Sequence, residues 1–191
     1  MTTTTERVPL AEAERLAWEL IAQLEPACER ILTVGSVRRK KPEVHDLQLL
    51  CQPRLTAQHD LFGEEIDHTN HLDDAVAGLM TAGLLAHRLD THGRHAYGTR
   101  YKRLTYKGVG LDLFSCLAPA QWGIQSLIRT GPDTFSRRLV TQRKFGGFLP
   151  DGWHVKDGSI WDEAGWQVLT PEEIDVFREL GIAYVEPEAR A

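Results

Sequence analysis

The sequence predicts a mixed α/β (α+β) fold, with helices packed on a β-sheet and a smaller C-terminal subdomain. Residues 10–25 place apolar side chains on one helical stripe. Residues 46–51 alternate between two faces, as a strand does. Residues 99–106 and 109–116 are two further apolar runs separated by a Lys-Gly turn, as in a β-hairpin.

The other elements follow from turn and cap residues. Pro26 ends the first helix, and Thr130-Gly131-Pro132 separates two later ones. Thr170, followed by a proline and two acids, predicts the start of the last helix. Residues 52–69 read as a loop. We predict helices over 10–25, 70–82, 119–129, 133–143 and 170–180, strands over 31–34, 46–51, 84–89, 99–106 and 109–116, a hairpin over 153–161, and a division into residues 1–117 and 118–191.

Composition predicts an intracellular protein with a sizeable core. The chain has 191 residues, 42% of them hydrophobic, and no apolar run reaches the ~20 residues of a membrane span. The first residues lack the apolar core of a signal peptide. Its three cysteines are far apart in sequence and follow no disulfide or metal spacing.

Charge is unevenly distributed along the chain, whose formal net charge is −5. Residues 151–191 hold ten acids and three bases, so the remainder is slightly basic. Its bases cluster at 38–41, 94–107 and 129–144, which makes these segments either anion sites or solvated loops. An interaction protein that docks a basic partner on its acidic segment is a further hypothesis.

The segment from Val34 to Leu50 combines a Gly-Ser turn, a basic loop and a strand. Gly35 permits close approach of the backbone to a phosphate, and the Ser36 hydroxyl can donate to it. Arg38 or Arg39 would clamp phosphates bidentately. A lone Gly-Ser pair is usually a plain turn, so the prediction depends on the residues that follow.

Asp46 and Gln48 share one face of their strand, and Asp112 lies in a second strand. If the strands are neighbours, these three side chains converge on one patch. Three carboxylates so placed would hold two Mg²⁺ ions about 3.5–4 Å apart. Here the middle position is an amide, which offers an oxygen and no charge.

Four segments in this order resemble the nucleotidyltransferase part of family X DNA polymerases, the polymerase beta-like group. They are GSVRRKKPEVHDLQLL, RLTYKGVGLDLFSC, QWGIQSLIRTGPDTFSRRLV and LTPEEIDVFRELGIAYVEPEAR. The similarity is greatest to the short stand-alone versions often found in phages. It extends from about residue 30 to the C-terminus.

The resemblance implies a palm subdomain followed by a nucleotide-binding subdomain. It implies transfer of a nucleoside monophosphate from an NTP or dNTP to a hydroxyl acceptor, such as a DNA or RNA end, with two Mg²⁺ or Mn²⁺ ions. The implied metal ligands are Asp46, Gln48 and Asp112. The implied nucleotide-binding residues are Gly35, Ser36 and Arg39 for the triphosphate, Thr130 and Gly131 for the sugar, and Asp133 and Ser136 on the helix that faces the base.

The chain departs from the family pattern at three positions. The family has a carboxylate where this chain has Gln48, so metal binding and turnover are expected to be weakened. His45 replaces a glycine, and Pro132 replaces a serine. The alternative hypothesis is therefore a catalytically degenerate module that binds a nucleotide or a nucleic acid without turnover. The oligomeric state stays open.

Two pairs of histidines three residues apart, His68 with His71 and His92 with His95, have the spacing of zinc ligands. No cysteine or acid of suitable spacing joins them. Such spacings arise often by chance, which is the simpler explanation here.

Overall fold

Both helices and strands are present in a computed structural model, which describes residues 7–62, 64–90 and 92–190. The helices are α1 (Leu10–Leu24), α2 (Gly35–Arg38), α3 (His71–Thr81), α4 (Trp122–Thr130), α5 (Asp133–Val140) and α6 (Glu173–Glu179). The strands are β1 (Val8–Pro9), β2 (Cys28–Thr33), β3 (Glu43–Val44), β4 (Asp46–Pro53), β5 (Leu55–His59), β6 (Glu65–Asn70), β7 (Leu85–His87), β8 (Tyr101–Tyr106), β9 (Val109–Ser115), β10 (His154–Lys156), β11 (Ser159–Trp161) and β12 (Gln167–Val168). The predicted mixture of helices and strands is confirmed.

The largest sheet has five strands in the order β2-β4-β9-β8-β7. β4 and β9 run parallel, and the other neighbours are antiparallel. A parallel pair needs a long crossover connection, which here contains the β5–β6 hairpin, α3, β7 and β8. The carboxylate-bearing strands are therefore central neighbours in the sheet.

The two faces of β4 divide as the alternation predicts. Leu47, Leu49 and Cys51 are fully buried in a core that α1 and α3 cover. Leu50, on the other face, packs with Phe114 and the following helix. One face of the strand therefore anchors the sheet in the core, and the other presents Asp46 and Gln48.

The first helix matches its predicted stripe. The buried side chains of α1 are Ala13, Leu16, Ala17, Leu20, Ile21 and Leu24. Their burial stabilises the helix against the sheet by roughly 1.5–3 kcal/mol for each leucine or isoleucine. The helix ends before Pro26, which lies in a 3-10 turn over Glu25–Ala27.

The helix predicted over 133–143 ends early, at Val140. Three further predictions of local structure are wrong. Residues 52–69 are not a loop, because β5 and β6 pair as an antiparallel hairpin. The Gly-Ser turn is the start of the one-turn helix α2. The last helix is not capped by Thr170: Glu172 is the N-cap, in a reciprocal capping box with Asp175.

The C-terminal part has a core of its own, formed by α4, α5, α6 and the small sheet β10-β11-β12. The hairpin predicted over residues 153–161 is present, with Asp157 and Gly158 at positive φ in its turn. Gly123 lies so close to the segment before α6 that a Cβ there would come within 2.2 Å of the Glu172 carbonyl oxygen. The division into subdomains near residue 117 stays a prediction.

Within the described part of the chain, no helix has the length and apolar character needed to cross a membrane.

Candidate functional site

The parallel pairing of β4 and β9 brings the predicted metal ligands together. Gln48 is the register partner of Asp112, and Asp46 that of Gly110. Asp112 is 9% exposed. The Gln48 amide donates to an Asp46 oxygen at 3.4 Å, a long hydrogen bond. Two carboxylates and one amide therefore share one patch of the sheet.

Arg88, which the sequence did not single out, bridges the two carboxylates. Its Nη2 donates to Asp112 Oδ1 at 2.7 Å and lies 3.8 Å from Asp46 Oδ2. Gly110 makes room for it, because a Cβ at that position would lie 2.1 Å from Arg88 Nη1. The guanidinium thus lies where a cation would bind to this pair. The sequence signal was a glycine two residues before Asp112 in an otherwise bulky strand.

Tyr101 also holds Asp112. Its hydroxyl donates to Asp112 Oδ1 at 2.9 Å, and its ring stacks on Phe114 with centroids 5.1 Å apart. Burial, together with the hydrogen bond to Asp112, raises the pKa of Tyr101 to about 12. The phenol therefore stays protonated and acts as a hydrogen-bond donor. This residue was also missed, because an aromatic residue at a strand start is ordinary in a core.

The pKa of Asp46 is raised in this arrangement. Burial raises the pKa of its carboxyl group, and the nearby Asp112 charge raises it further. The guanidinium of Arg88 offsets part of this rise. The pair therefore still favours additional positive charge.

These residues fit a divalent cation in their donor chemistry. Mg²⁺ is commonly bound by one or two carboxylates plus substrate phosphates. Across residues 7–62, 64–90 and 92–190, no three His, Cys, Asp or Glu side chains group so as to hold a metal ion. The predicted set contains only two such side chains, since its third member is the Gln48 amide. A cation and the Arg88 guanidinium would compete for the same oxygens.

The Gly-Ser segment is joined directly to this patch. Gly35 has a φ of +64°, and a Cβ there would lie 2.2 Å from Gln48 Oε1. Glycine is required both for the backbone conformation and for the contact with the amide. Ser36 follows at the start of α2 and is half-buried.

The two adjacent arginines have different roles. Arg38 forms an ion pair with Glu173, with Nη2 and Oε2 2.8 Å apart, and donates to the Thr130 hydroxyl at 2.7 Å. Glu173 in turn pairs with the buried Arg190 at 3.2 Å. Arg38 therefore ties α2 to α6 and is already neutralised.

Arg39 has no carboxylate partner among the described residues. It donates to the Thr130 carbonyl oxygen, and its Nη2 lies 3.5 Å from the Ser36 hydroxyl, at the outer limit of a hydrogen bond. Its buried Nε has no partner. Burial lowers its pKa, and the charge of Arg190 lowers it further. Its positive charge is therefore available to an anion.

A cavity of about 390 Å³ joins these groups to the start of the C-terminal part. Seven of the ten predicted site residues line it, namely Gly35, Ser36, Arg39, Gln48, Gly131, Asp133 and Ser136. The other three lie outside its lining: Asp46 and Asp112 belong to the adjacent patch, and the buried Thr130 is bonded to Arg38 and Arg39. Phe114, Ile128, Arg129 and Pro132 complete the lining. Phe114 was missed, whereas Arg129 belongs to the basic cluster 129–144 that the sequence marked as a candidate anion site.

Three further lining residues also have partners. The Ser136 hydroxyl donates to the Ile128 carbonyl oxygen at 2.8 Å. Asp133 is exposed and pairs with Arg137 on the next turn of α5 at 2.9 Å. Arg129 lies over the Phe114 ring, 4.0 Å from its centroid, and burial lowers its pKa.

A larger cavity of about 700 Å³ lies between β2, α4 and α6. Its charged groups are already paired, Arg30 with Glu172 at 2.8 Å and Arg38 with Glu173. We therefore regard the smaller cavity, with its unpaired Arg39, as the candidate site.

No protein-family model matches the chain, and no curated protein matches it significantly.

Proposed function

We propose that this protein is a nucleotidyltransferase with a polymerase beta-like palm in residues 1–117 and a nucleotide-binding subdomain in residues 118–191. It would transfer a nucleoside monophosphate from an NTP or dNTP to a hydroxyl acceptor, including a DNA or RNA end. The observation that supports the proposal is the contact of Gly35 with Gln48. It joins the phosphate-binding turn to the carboxylate pair within one site.

The cavity suits a triphosphate because its cations are unneutralised. Arg39 would donate to phosphate oxygens as a planar fork, and the Ser36 hydroxyl would donate beside it. Arg129 adds a second positive charge to the lining of the cavity. Gly131, Asp133 and Ser136 would contact the sugar and the base.

Asp46 and Asp112 would hold Mg²⁺ or Mn²⁺, joined by the Gln48 oxygen once its amide rotates from Gly35 towards Asp46. When bound, such an ion neutralises phosphate charge and makes the attacking hydroxyl more acidic. The amide at position 48 leaves fewer charges for a second ion, which predicts weaker binding than three carboxylates would give. Arg88 would have to withdraw from the pair for an ion to bind.

The reaction itself balances without a further co-reactant. The acceptor oxygen forms a bond to the α-phosphorus, and the bond from that phosphorus to pyrophosphate breaks. A carboxylate of the pair accepts the hydroxyl proton. Tyr101 holds the Asp112 side chain in place through its hydrogen bond.

The test is incubation with labelled nucleotides, Mn²⁺ and a panel of acceptors that includes DNA and RNA ends. We expect slow transfer by the natural chain and faster transfer by Gln48→Glu. Triphosphate binding, measured by calorimetry, should weaken in Arg39→Gln and stay unchanged in Arg54→Gln. Arg54 is an exposed arginine that pairs with Glu29. It lines neither this cavity nor the cavity that adjoins it at Arg129.

A binding module without turnover is the second candidate, and Arg88 is the observation that favours it. A protein cation already occupies the oxygens that a metal would use. Triphosphate binding that depends on Arg39, with no label transfer by either the natural chain or Gln48→Glu, would select this candidate. Triphosphate binding that is unaffected by Arg39→Gln would exclude both.

A further inference from the structure

The outer edge of β2 has no neighbouring strand among the described residues. β2 lies at one end of the order β2-β4-β9-β8-β7, so only its side towards β4 is paired. The Val34 N–H donates to the Gln48 carbonyl oxygen at 2.9 Å, and hydrogen-bonded pairs alternate along an antiparallel ladder. The backbone N–H and C=O groups of Ile31 and Thr33 therefore point away from β4. No backbone group of the described chain pairs with these four groups.

Two cavities flank this edge, one on each face of the sheet. Leu32 pairs with Leu50 on the face that α4 covers, and it lines the cavity of about 700 Å³ described above. Thr33 pairs with Leu49 on the face that α1 covers, and it lines a cavity of about 270 Å³. Arg38 lines both cavities, so they are adjacent. We call the β2 edge with these two cavities the edge groove.

The larger cavity offers apolar surface to a ligand. Trp122 is buried in its wall, with the Arg30 guanidinium carbon 4.4 Å from the centroid of its ring. Ile174 and Tyr184 line the same cavity and are 53% and 42% exposed. The charged groups of the cavity are already held in ion pairs. A large apolar side chain therefore suits this cavity best.

The smaller cavity has an excess of negative charge. Its lysine and its arginine are already held in ion pairs. Glu186 and Glu188 also line it, and neither forms an ion pair with a described cation. Trp18 of α1 borders the same cavity and is 67% exposed. A lysine or arginine side chain would find carboxylates here and an indole ring to lie against.

A strand added at this edge would use all three features together. Its backbone would pair with Ile31 and Thr33, and its successive side chains would enter the two cavities, because side chains alternate between the faces of a sheet. We infer that the edge groove binds an extended segment of a partner protein, in which a large apolar residue stands next to a lysine or arginine. The inference goes beyond the proposed transferase function and does not depend on it.

The test is a selection of random heptapeptides displayed on phage against the full chain, followed by calorimetry with the enriched peptides in synthetic form. We expect these peptides to share a large apolar residue beside a lysine or arginine. Ile174→Ser should weaken their binding by about tenfold or more, because it removes apolar surface that the peptide covers. Leu169→Ser, at an exposed apolar residue outside both cavities, should leave binding unchanged. Thermal unfolding checks that both variants fold.

A second pair of variants tests the acidic cavity. Glu188→Gln should weaken peptide binding by about twofold to fivefold, as expected for an exposed ion pair. Glu163→Gln removes the same charge from an exposed residue outside both cavities and should change nothing. A peptide with glutamine in place of its basic residue should bind Glu188→Gln and the natural chain equally. Equal losses in Glu188→Gln and Glu163→Gln would indicate diffuse attraction and overturn the inference.

N-methylation of the peptide tests the backbone pairing. Methyl groups on the amides that face β2 should abolish binding, whereas methyl groups on the intervening amides should weaken it less. Equal effects at every position, no enriched peptide, or equal binding to Ile174→Ser and Leu169→Ser would each overturn the inference. Arg39→Gln should leave peptide binding unchanged, so this inference and the transferase proposal fail separately.

Discussion

The carboxylate patch and the cavity beside it balance charge in opposite ways. In the patch, Asp46 and Asp112 are already bridged by Arg88. In the cavity, Arg39 and Arg129 have no carboxylate partner among the described residues, and only backbone, hydroxyl and aromatic groups contact them. The carboxylates of the patch are thus neutralised by the protein itself, whereas the arginines of the cavity can bind an anion. Ligand binding should therefore begin in the cavity, and the patch should require a rearrangement.

Removal of Arg88 should have the largest effect, because this side chain neutralises the carboxylate patch. We expect Arg88→Met to lower the free energy of unfolding at pH 7 by about 2–4 kcal/mol, since it leaves Asp46 without its guanidinium partner and Asp112 with only the Tyr101 hydroxyl and a distant Arg103, 4.0 Å away. The loss should shrink at acidic pH, because burial raises the pKa of Asp46 and its carboxylate loses its charge there. Urea unfolding at both pH values measures it. Arg54→Met, at an exposed pair, should cost less than about 1 kcal/mol. An equal loss of stability at both pH values would contradict the bridging role.

The next effect concerns the contact that joins the two regions. Gly35→Ala should destabilise the protein by about 2 kcal/mol, because alanine is strained at positive φ and its Cβ would meet the Gln48 amide. Gly108→Ala is the matched control. Gly108 has a φ of +83°, and no atom lies within 4 Å of an added Cβ. Chemical denaturation of both variants should show the larger loss at Gly35. Equal losses would mean that backbone strain alone accounts for the effect.

A third carboxylate should increase the affinity of the patch for a metal ion. We expect Gln48→Glu to tighten Mn²⁺ binding by at least about tenfold. Replacing residues that merely contact metal ligands already changes metal affinity by at least that factor. Titration followed by electron paramagnetic resonance measures the affinity without any turnover. Gln58→Glu makes the same change in the β5–β6 hairpin and should leave Mn²⁺ binding unchanged. A similar gain in both variants would point to nonspecific attraction.

The smallest effect is a pH dependence of stability. Burial and the Asp112 charge raise the folded pKa of Asp46 above its ordinary 3.8, so the folded state binds more protons than the unfolded state. The unfolding free energy should therefore fall as pH rises above about 3.8, until the folded carboxyl group has lost its proton. Asp46→Asn removes this contribution, so the variant should gain stability relative to the natural chain as pH rises.

Asp90 supplies a control of opposite sign. Its backbone hydrogen bond from Arg94 lowers its pKa, so its stabilisation is present above about pH 4 and is lost in acid. Asp90→Asn should therefore lose stability relative to the natural chain as pH rises. Calorimetric unfolding across this range measures both slopes. Slopes of the same sign would contradict the assignment of Asp46.

Much of the fold could be read from local patterns. The apolar stripe of α1, the alternation of β4 and the Lys107-Gly108 turn each depend on residues that are close in sequence, so the predictions agree with the structure. The β5–β6 hairpin was missed because four of the five residues of β5 are exposed, which leaves no apolar alternation to detect. The cap of α6 was misplaced because Thr170 resembles a cap, whereas Glu172 and Asp175 satisfy the helix end together.

The candidate site was predicted as a set of residue types, and its charge balance was not. Asp46, Gln48 and Asp112 follow from strand periodicity once β4 and β9 pair. Arg88 lies 24 residues before Asp112, and no local pattern indicates that it turns towards the carboxylates. The difference between Arg38 and Arg39 likewise depends on Glu173, which is far away in the sequence.

The pairing of Arg190 with Glu173 has a practical consequence for handling the protein. Glu173 holds Arg38, and Arg38 precedes the arginine that faces the cavity. Loss of the Arg190 side chain would leave Glu173 with one partner fewer and loosen the contact that positions α2. Preparations that differ at this residue should therefore not be assumed equivalent in ligand affinity.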